Sequence, residues 1–476
     1  MPNSMRNLLA VLLVAAALAG CMSSTPPATD GPATGNDSAA LPTFFVNSVG
    51  EQGPEPTLGV TSDGAIFFQA LEKTMKSIDG GRTWSNVNPA YALPTTLDPF
   101  LWVDPTTDRV FSDQLYVACS YLLYTDDGGA TWVPNPLACG SPVNDHQKIA
   151  TGSYVAGGPL DLATPVKPYP NLVYYAINGI ADSRVGISLD GGQTFPIVSE
   201  SFPAVQLPGG DSPDCGGGLH GNIVAGPDGT VYVPSRSSCA GPDEGTLGGP
   251  VVARSLDNGL TWTNTVVAAD IGTPDHDKNP DLAVDTENTV YITFPGGDNR
   301  LYLAHSVDHG ATWSQAVLVS DGLGTVTMPA LAAGSPGRVA MAYYGVADPN
   351  ERAVPDFVNE TARWSLFVTY SLDALSDTPT FTTIQVTGDD PIQVGGISTN
   401  SGDAPAGSRN LLDFIDLQID AEGRVFVAFA DGCTSDVCRG PDAKPEDSRD
   451  ALGIVAIGQS GPSLFADKGE LAPLLA

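Results

Sequence analysis

Ser306-Val307-Asp308-His309-Gly310-Ala311-Thr312-Trp313 is the clearest copy of an eight-residue phrase, Ser/Thr-x-Asp-x-Gly-x-Thr-Trp, that this chain contains five times. The other copies span 77–84, 125–132, 188–195 (with Phe195 in place of Trp) and 255–262. A sixth start, Ser371-Leu372-Asp373, lacks the Gly and the Trp. Each copy predicts a β-turn, because Asp can accept backbone N–H bonds, Gly can adopt positive φ and Thr suits an outgoing strand. The Trp is large enough to pack between neighbouring sheets.

A second, fainter repeat consists of a short apolar strand, a Gly/Asp turn and another apolar strand. Its seven copies begin near Thr57, Pro99, Gln147, Gly221, Pro280, Pro329 and Phe414. The fifth unit divides into four strands, A to D, at 281–285, 290–294, 300–306 and 316–320, with the eight-residue phrase joining C to D. Seven such units predict an all-β, seven-bladed propeller, with six blades as the alternative. Because the last unit lacks a D strand, we expect residues 43–49 to close it from the N-terminal side.

The eight-residue phrase resembles the Asp-box, or BNR, repeat of sialidase-type β-propellers, and the resemblance covers most of residues 42–460. It implies a propeller fold and a possible kinship in function. Sialidases hold the sialic acid carboxylate with three arginines and use an Asp acid/base and a Tyr nucleophile activated by a Glu. The Arg-Ile-Pro motif that opens the sialidase domain is absent from this sequence.

The N-terminal segment resembles a bacterial lipoprotein signal. Residues 1–20 combine Arg6 with an apolar run and end in Leu18-Ala19-Gly20-Cys21, which is similar to a lipobox. The resemblance implies cleavage before Cys21 and lipidation of its thiol; an ordinary signal peptide is the alternative. We expect residues 21–41 to be a flexible linker, residues 42–476 to be the propeller, and the protein to be extracytoplasmic and lipid-anchored.

The remaining six cysteines suggest three disulfides in a protein outside the cytoplasm. Proximity along the chain favours the pairs Cys119–Cys139, Cys215–Cys239 and Cys433–Cys438 among the fifteen pairings of six thiols.

The chain is strongly acidic, with a formal net charge of −33. Such a surface repels nucleic acid and anionic lipid headgroups, so a lipid anchor would be the only membrane attachment. The acidity favours cations or reflects a high-salt habitat. We expect a monomer whose partner is a glycan or a surface protein.

The residues just before each A strand should surround one mouth of the central channel. They are Glu55, Asp98, Asp145-His146, His220, Asp275-His276-Asp277-Lys278, Met328 and Asp413. Three of the five His residues and several carboxylates fall in this ring, which suits a divalent cation such as Ca²⁺ or a transition metal. Asp275, His276 and Asp277 are the predicted metal ligands. The alternative is that these polar residues only cap solvated strand entrances.

Arginines mark the same face of the propeller. Arg184, Arg300 and Arg363 occupy equivalent places at the starts of C strands, and Arg236 and Arg409 should lie nearby. Guanidinium groups suit a carboxylate or an acidic sugar, because two parallel N–H donors match two oxygens. Tyr343 and Tyr344 are the candidates for a sialidase-type nucleophile.

Two functions follow from these patterns. The first is a surface module that binds glycan or protein on the face formed by the loops from D to A strands and from B to C strands, the D–A/B–C face. Its binding residues would be Arg236, Arg409, His146, His220 and Asp413. The second is a glycoside hydrolase resembling exo-α-sialidases, with Arg184, Arg300 and Arg363 holding an acidic sugar. The Asp residues of the repeated turns are expected on the opposite face and are assigned to folding.

Overall fold

Seven antiparallel sheets, each of four or five strands, are arranged as the blades of a β-propeller in the computed structural model of this chain. The structure describes residues 41–474 except 89–96, 117–118, 136–144, 163–167, 179–182, 203–204, 208–209, 213–219, 237–248, 269, 273–279 and 399–407. The predicted seven-bladed architecture is confirmed, and the six-bladed alternative is excluded.

The strands follow the chain blade by blade, and each blade is ordered A, B, C, D. Blades 1 to 3 contain β2 (Thr57–Val60), β3 (Ile66–Ala70), β4 (Lys73–Ser77), β5 (Ser85–Asn86), β6 (Leu97–Val103), β7 (Val110–Tyr116), β8 (Cys119–Thr125), β9 (Val133–Asn135), β10 (Asp145–Gly152), β11 (Leu172–Asn178), β12 (Ser183–Ser188) and β13 (Ile197–Glu200). A separate hairpin, β14 (Val205–Leu207) and β15 (Gly210–Ser212), leads into blade 4.

Blades 4 to 7 keep the same order. They contain β16 (Val224–Ala225), β17 (Val231–Ser235), β18 (Val251–Ser255), β19 (Thr263–Val266), β20 (Asp281–Val284), β21 (Val290–Pro295), β22 (Leu301–Ser306), β23 (Val317–Leu318), β24 (Val326–Ala333), β25 (Val339–Val346), β26 (Arg363–Ser371), β27 (Thr382–Gln385), β28 (Gln393–Val394), β29 (Asp416–Ile419), β30 (Val425–Asp431) and β31 (Leu452–Ser460). Strand β28 pairs with the start of β26 and widens blade 6. Among the residues that the structure describes, the helical segments are α1 (Asp436–Arg439) and two 3₁₀ turns, Pro355–Phe357 and Pro445–Asp447.

The ring is closed by β1 (Thr43–Gln52), which pairs antiparallel with β31 and supplies the outer strand of blade 7. Phe45 lies opposite Ile457 and Asn47 lies opposite Val455. The predicted N-terminal closure is therefore confirmed. It joins the two ends of the described chain within one sheet, so the circular arrangement of blades is held by a ladder of backbone hydrogen bonds.

The repeated turns join C strands to D strands and share one hydrogen-bond pattern. In the fifth blade, backbone N–H and Oγ1–H of Thr312 donate to the two carboxylate oxygens of Asp308, at 2.8 and 2.6 Å. Ser306 Oγ–H donates to Asp308 and accepts from the N–H of Gly310, whose φ is +73°. The other four copies contain the same bonds around Asp79, Asp127, Asp190 and Asp257. The carboxylate oxygens of these aspartates thus accept the hydrogen bonds that close the turns.

The tryptophans of these turns pack between blades, as their size predicts. Trp262 is 8% exposed and lies in an apolar cluster with Ile187 and Tyr174 of blade 3. Trp313, which is half-buried, packs in the same way against Tyr232 of blade 4. Each turn therefore links a blade to the one before it by burying aromatic surface.

Near the end of the chain, Cys433 and Cys438 form a disulfide in the loop after β30, as predicted. The other two predicted pairs involve Cys139, Cys215 and Cys239, which lie outside the described residues, as do the signal and Cys21. Within the described part of the chain, no helix has the length and apolarity needed to span a membrane.

Candidate functional site

The inner strands of neighbouring blades contact one another in a ring, β2–β6–β10–β16–β20–β24–β29, around the central channel. Immediately before or at the start of four of them, a non-glycine residue adopts positive φ: Glu55 (+50°), Asp98 (+45°), His146 (+46°) and Met328 (+52°). At Asp98, His146 and Met328 the strand pairing also shifts register. Bulges redirect side chains, and a positive φ is costly for a non-glycine residue. Both features together mark this mouth of the channel as a candidate functional site.

Five ionisable side chains from four blades converge at this mouth, and we call them the mouth cluster: Glu55, Asp98, His146, Arg409 and Asp413. Arg409 donates to both oxygens of Asp413, at 2.6 and 2.5 Å. His146 Nε2 lies 3.2 Å from Asp413 Oδ2, and the backbone N–H of His146 donates to Asp98 at 3.3 Å. One ligand-type atom from each of Glu55, His146 and Asp413 lies within 4.8 Å of the other two.

Glu55 is the most perturbed member of the mouth cluster. Burial raises the pKa of its carboxyl well above the usual value, and the negative charges of Asp98 and Asp413 raise it further. The side chain is nearly inaccessible, since Glu55 is 1% exposed. A raised carboxyl pKa favours the protonated form, which is the form required of a general acid.

Deeper in the channel, Lys148 is buried between two aromatic rings. Its Nζ lies 3.4 Å from the ring centroid of Phe414 and 4.7 Å from that of Phe100. Burial lowers the pKa of Lys148 to about 8, against the opposing effect of nearby carboxylates. Burial likewise raises the pKa of Asp281 to about 7 and that of Asp416 to about 6. The channel wall therefore holds ionisable groups whose charged forms are disfavoured by burial.

These inner carboxylates also tie neighbouring blades together. Asp281 Oδ2 accepts the backbone N–H of Leu331 in the next blade at 2.8 Å, and Asp416 Oδ2 accepts that of Leu58 at 2.9 Å. Thr57 Oγ1 accepts the N–H of Leu101 at 2.8 Å in the equivalent position. The corresponding bond in the mouth cluster, from the N–H of His146 to Asp98, is longer, at 3.3 Å.

The opposite end of the channel is chemically different. A cavity of about 420 Å³ opens on the face of the repeated turns, and its wall is largely apolar, with Trp102, Ile149, Leu282 and Leu417. A chamber of about 30 Å³, the size of one water molecule, lies between Lys148, Asp281 and Asp413. The polar side chains that converge on the channel therefore lie at its D–A/B–C end, whereas the end on the turn face is largely apolar.

Two further residues predicted for this face lie near the mouth cluster or on its rim. His220 is fully buried, its Nδ1 lies 2.9 Å from the carbonyl oxygen of Gly221, and burial lowers its pKa to about 4. The charges of Lys148 and His146 lower that pKa further, which places His220 close to both. Arg236 directly follows β17 and is half-buried. The predicted metal ligands Asp275, His276 and Asp277 lie outside the described residues.

The three equivalent arginines have separate surroundings. Arg300 donates to Asp298 at 2.5 Å within its own blade, whereas Arg363 donates to the carbonyls of Arg439 and Gly440. Arg184 is exposed in blade 3, where it lies across from Glu200. Arg300 and Arg363 thus make their hydrogen bonds in different blades, which does not favour a shared carboxylate pocket.

Tyr343 and Tyr344 are both fully buried in β25. The hydroxyl groups of Tyr343 and Thr369 are hydrogen-bonded at 2.9 Å, and the Tyr344 hydroxyl donates to the carbonyl of Ala430 at 2.9 Å. Tyr343 packs between blades 5 and 6 and Tyr344 between blades 6 and 7, where a solvent-borne substrate does not reach them.

Lys148, Asp281 and Asp416 were not among the metal ligands, catalytic residues or binding residues predicted from the sequence. All three directly precede the first apolar residue of an inner strand, in Lys148-Ile149, Asp281-Leu282 and Asp416-Leu417. Aligning the seven inner strands on that apolar residue would have placed these charges in one layer of the channel. The positive φ values at Glu55, Asp98 and His146 have no comparable signal in the sequence, because none of the three is a glycine, the residue that usually marks positive φ.

Comparisons with known proteins give no family assignment, since neither a family model nor a curated protein matches the chain. Solved structures that resemble it include sialidases and other propellers. The intramolecular trans-sialidase from Ruminococcus gnavus is 13% identical, with a TM-score of 0.39 over 88% of this chain and 95% of that one. An ulvan lyase of polysaccharide lyase family PL25 is 10% identical, with a TM-score of 0.44 over 80% and 92%. The Aleuria aurantia lectin is 10% identical, with a TM-score of 0.40 over 75% and 100%.

Proposed function

We propose that this chain is an exported, lipid-anchored, sialidase-like propeller that binds a glycan at the D–A/B–C mouth of its central channel. The observation that carries the proposal is the mouth cluster, in which five ionisable side chains from blades 1, 2, 3 and 7 meet in one place. Ligand sites typically combine a concave surface with a few convergent polar groups and perturbed pKa values.

The chemistry of the mouth cluster suits sugar hydroxyl groups. A hydroxyl both donates and accepts hydrogen bonds, and the cluster offers carboxylate acceptors beside guanidinium and imidazole groups. Asp98 is only half-buried, so its carboxylate is open to a ligand. The resemblance of the repeated turns to Asp-box repeats, which the shared hydrogen bonds around Asp308 and its equivalents fit, adds support for a sialidase-like propeller.

A second function, acid/base catalysis on the bound sugar, is favoured by Glu55. Its raised pKa suits a general acid, and Asp413 beside it accepts hydrogen bonds from Arg409 on both carboxylate oxygens. The exo-α-sialidase version of this function has less support, because Arg300 and Arg363 are engaged in different blades and the two tyrosines are buried. Binding therefore ranks ahead of turnover.

The binding proposal is tested by exposing the full chain to an array of glycans that includes sialosides. Asp98→Asn should lower the affinity for any bound glycan by about tenfold, the effect of one hydrogen bond to a charged group. Asp377→Asn makes the same charge change in an exposed loop between C and D strands on the opposite face and should leave affinity unchanged. Equal loss in both variants, or no binding to any glycan, would contradict the proposal.

Catalysis is tested separately, with fluorogenic glycosides and with uronic-acid polymers as lyase substrates. Glu55→Gln should abolish turnover while retaining glycan binding if Glu55 is the general acid. Turnover that survives this substitution would remove Glu55 from the mechanism.

Membrane attachment is tested by Cys21→Ala, which removes the thiol proposed to be lipidated. The variant should no longer partition with membranes on fractionation. Membrane association equal to that of the parent would contradict a lipid anchor at Cys21.

A further inference from the structure

We propose that Glu55, His146 and Asp413 form a binding site for a divalent transition-metal ion of the Zn²⁺ type. The inference deepens the proposed function, because the ion would lie within the mouth where the glycan is proposed to bind. These residues differ from the ligands Asp275, His276 and Asp277 that the sequence suggests. They come from blades 1, 3 and 7 and are brought together only by closure of the ring.

The distances suit a small cation. His146 Nε2 and Asp413 Oδ2 are 3.2 Å apart. Two ligand atoms at about 2.1 Å from a tetrahedral Zn²⁺ are separated by about 3.4 Å, so this pair already has nearly the required spacing. A ligand atom of Glu55 lies within 4.8 Å of both partners, so a movement of its side chain by about 1–2 Å would complete a three-ligand site.

Unpartnered polar atoms provide a second, independent observation. Glu55 Oε2 and His146 Nδ1 have no hydrogen-bond partner among the described residues, although Glu55 is 1% and His146 2% exposed. Buried polar atoms are nearly always satisfied, and each exception requires an explanation. A bound cation would satisfy the Glu55 oxygen directly. Ligation through Nε2 would leave Nδ1 of His146 to donate to a water, as the second ring nitrogen of a metal-bound histidine commonly does.

Asp413 remains able to bind a cation although Arg409 contacts it. Each carboxylate oxygen has two lone pairs, and Arg409 uses one on each oxygen. On binding, the ion would replace the direct contact between Asp413 Oδ2 and His146 Nε2, which are 3.2 Å apart. Arg409 would then orient the ligating carboxylate, as hydrogen-bonding partners of metal ligands commonly do.

The donor set determines the class of metal. Ca²⁺ and Mg²⁺ prefer sites made only of oxygen atoms, whereas an imidazole nitrogen favours Zn²⁺ and neighbouring transition metals. Three protein ligands leave a fourth position for water or a sugar hydroxyl, as in sites where zinc acts on a substrate. Glu55 would release its proton on binding the ion, and three carboxylates, counting Asp98, would then supply the negative charge that holds it.

The test is calorimetric titration of the full chain, stripped with EDTA, with Zn²⁺ and separately with Ca²⁺. The parent should bind roughly one Zn²⁺ per chain and prefer it to Ca²⁺. His146→Gln and Glu55→Gln should each weaken Zn²⁺ binding by more than about tenfold. His305→Gln, which removes a half-buried histidine in β22 outside the cluster, should bind like the parent.

Several outcomes would overturn the proposal. These are no uptake of Zn²⁺ by the parent, preference for Ca²⁺, or equal Zn²⁺ affinity in the parent, His146→Gln and Glu55→Gln. Zn²⁺ binding that is lost instead in His309→Gln would assign the ion to the exposed pair of His309 and Asp228, whose Nδ1 and Oδ2 atoms are 3.5 Å apart. If the cluster variants do not fold, the Co²⁺-loaded parent should still give the visible absorption of a four-coordinate site, and its absence would reject the site.

Metal binding and glycan binding can fail separately. The glycan array is therefore repeated in EDTA and in Zn²⁺. Zn²⁺ binding without any glycan would reject the proposed function and leave the metal site in place. Glycan binding that is the same in EDTA and Zn²⁺, in a chain that binds no Zn²⁺, would reject the metal site and leave the proposed function in place.

Discussion

The two ends of the propeller use aspartate in opposite ways. On the turn face, five aspartates make the same set of hydrogen bonds, and those of Asp79, Asp127 and Asp308 lower their pKa values to about 2. At the mouth, the residues before the inner strands are not repeated from blade to blade: among the described ones are Glu55, Asp98, His146, His220, Met328 and Asp413. There burial raises the pKa of Glu55, and the unpartnered oxygen of its side chain has no counterpart in the turns.

This difference separates folding from function. A feature that recurs in each blade solves a problem that every blade has, which is how to reverse the chain and pack against its neighbour. A feature that occurs once, and that places buried charge and positive φ together, has a cost that the fold alone does not require. The proposed binding site is therefore placed at the mouth and not on the turn face.

The largest expected effect is on the turn face. Trp262→Ala should lower the free energy of unfolding by about 3–5 kcal/mol, because it removes a large aromatic group from between blades 3 and 4. Trp313→Ala should cost less, since Trp313 is more exposed. Urea unfolding of both variants measures the difference. Equal, small losses would show that the tryptophans do not hold blades together.

The next largest effect concerns pH at the inner end of the channel. The folded pKa of Asp281, about 7, exceeds its unfolded value, so its contribution to stability is complete below about pH 4 and is lost as pH rises through 7. Asp281→Asn keeps the acceptor for Leu331 and removes the charge. The parent should lose on the order of 2–4 kcal/mol more than the variant between pH 4 and 8. Equal losses of unfolding free energy in the parent and in Asp281→Asn between the two pH values would contradict this.

The turns should show the opposite pH dependence. The pKa of Asp257 is lowered by hydrogen bonds from Thr261, against the effect of burial, so its contribution is present above about pH 4 and is lost as pH falls through the lowered pKa. Asp257→Ala should cost about 1 kcal/mol at pH 7, because it removes the exposed hydrogen bonds from the N–H and hydroxyl of Thr261. The deficit relative to the parent should shrink in acid. Urea unfolding at pH 7 and pH 3 checks this, and a constant deficit would refute it.

The smallest expected effect on stability is at the mouth. Asp98→Asn should change the free energy of unfolding by less than about 1 kcal/mol, since Asp98 is half-buried and its contact with the N–H of His146 is long, at 3.3 Å. Its effect on ligand affinity should be larger than its effect on unfolding. A variant that unfolds readily would make Asp98 a folding residue and weaken the contrast between the two ends.

The fold was predictable because it is repeated. Seven strand pairs and five copies of one turn specify the blade, and the missing D strand of the last unit pointed to residues 43–49 as the closing strand. Even the degenerate sixth turn keeps its chemistry, since Asp373 accepts from the N–H and hydroxyl of Thr380 across a longer loop.

The site was predictable only in part. The ring of residues before the inner strands contains all the carboxylates and the histidine of the mouth cluster, and Arg409 was expected nearby. Which of them meet depends on the bulges at Asp98 and His146 and on the ion pair between Arg409 and Asp413, which no periodicity specifies. Arg300 and Arg363 occupy equivalent places but have different neighbours, because the loops between B and C strands differ from blade to blade.

The most direct test of the mouth as the functional site is one comparison of glycan affinity. The parent, Asp98→Asn and Asp377→Asn are measured side by side against the same glycan array, with melting temperatures recorded for each. A glycan that binds the parent and Asp377→Asn equally, and binds Asp98→Asn about tenfold more weakly at an unchanged melting temperature, is the predicted result. Equal affinity in all three proteins would place the binding site elsewhere and contradict the account.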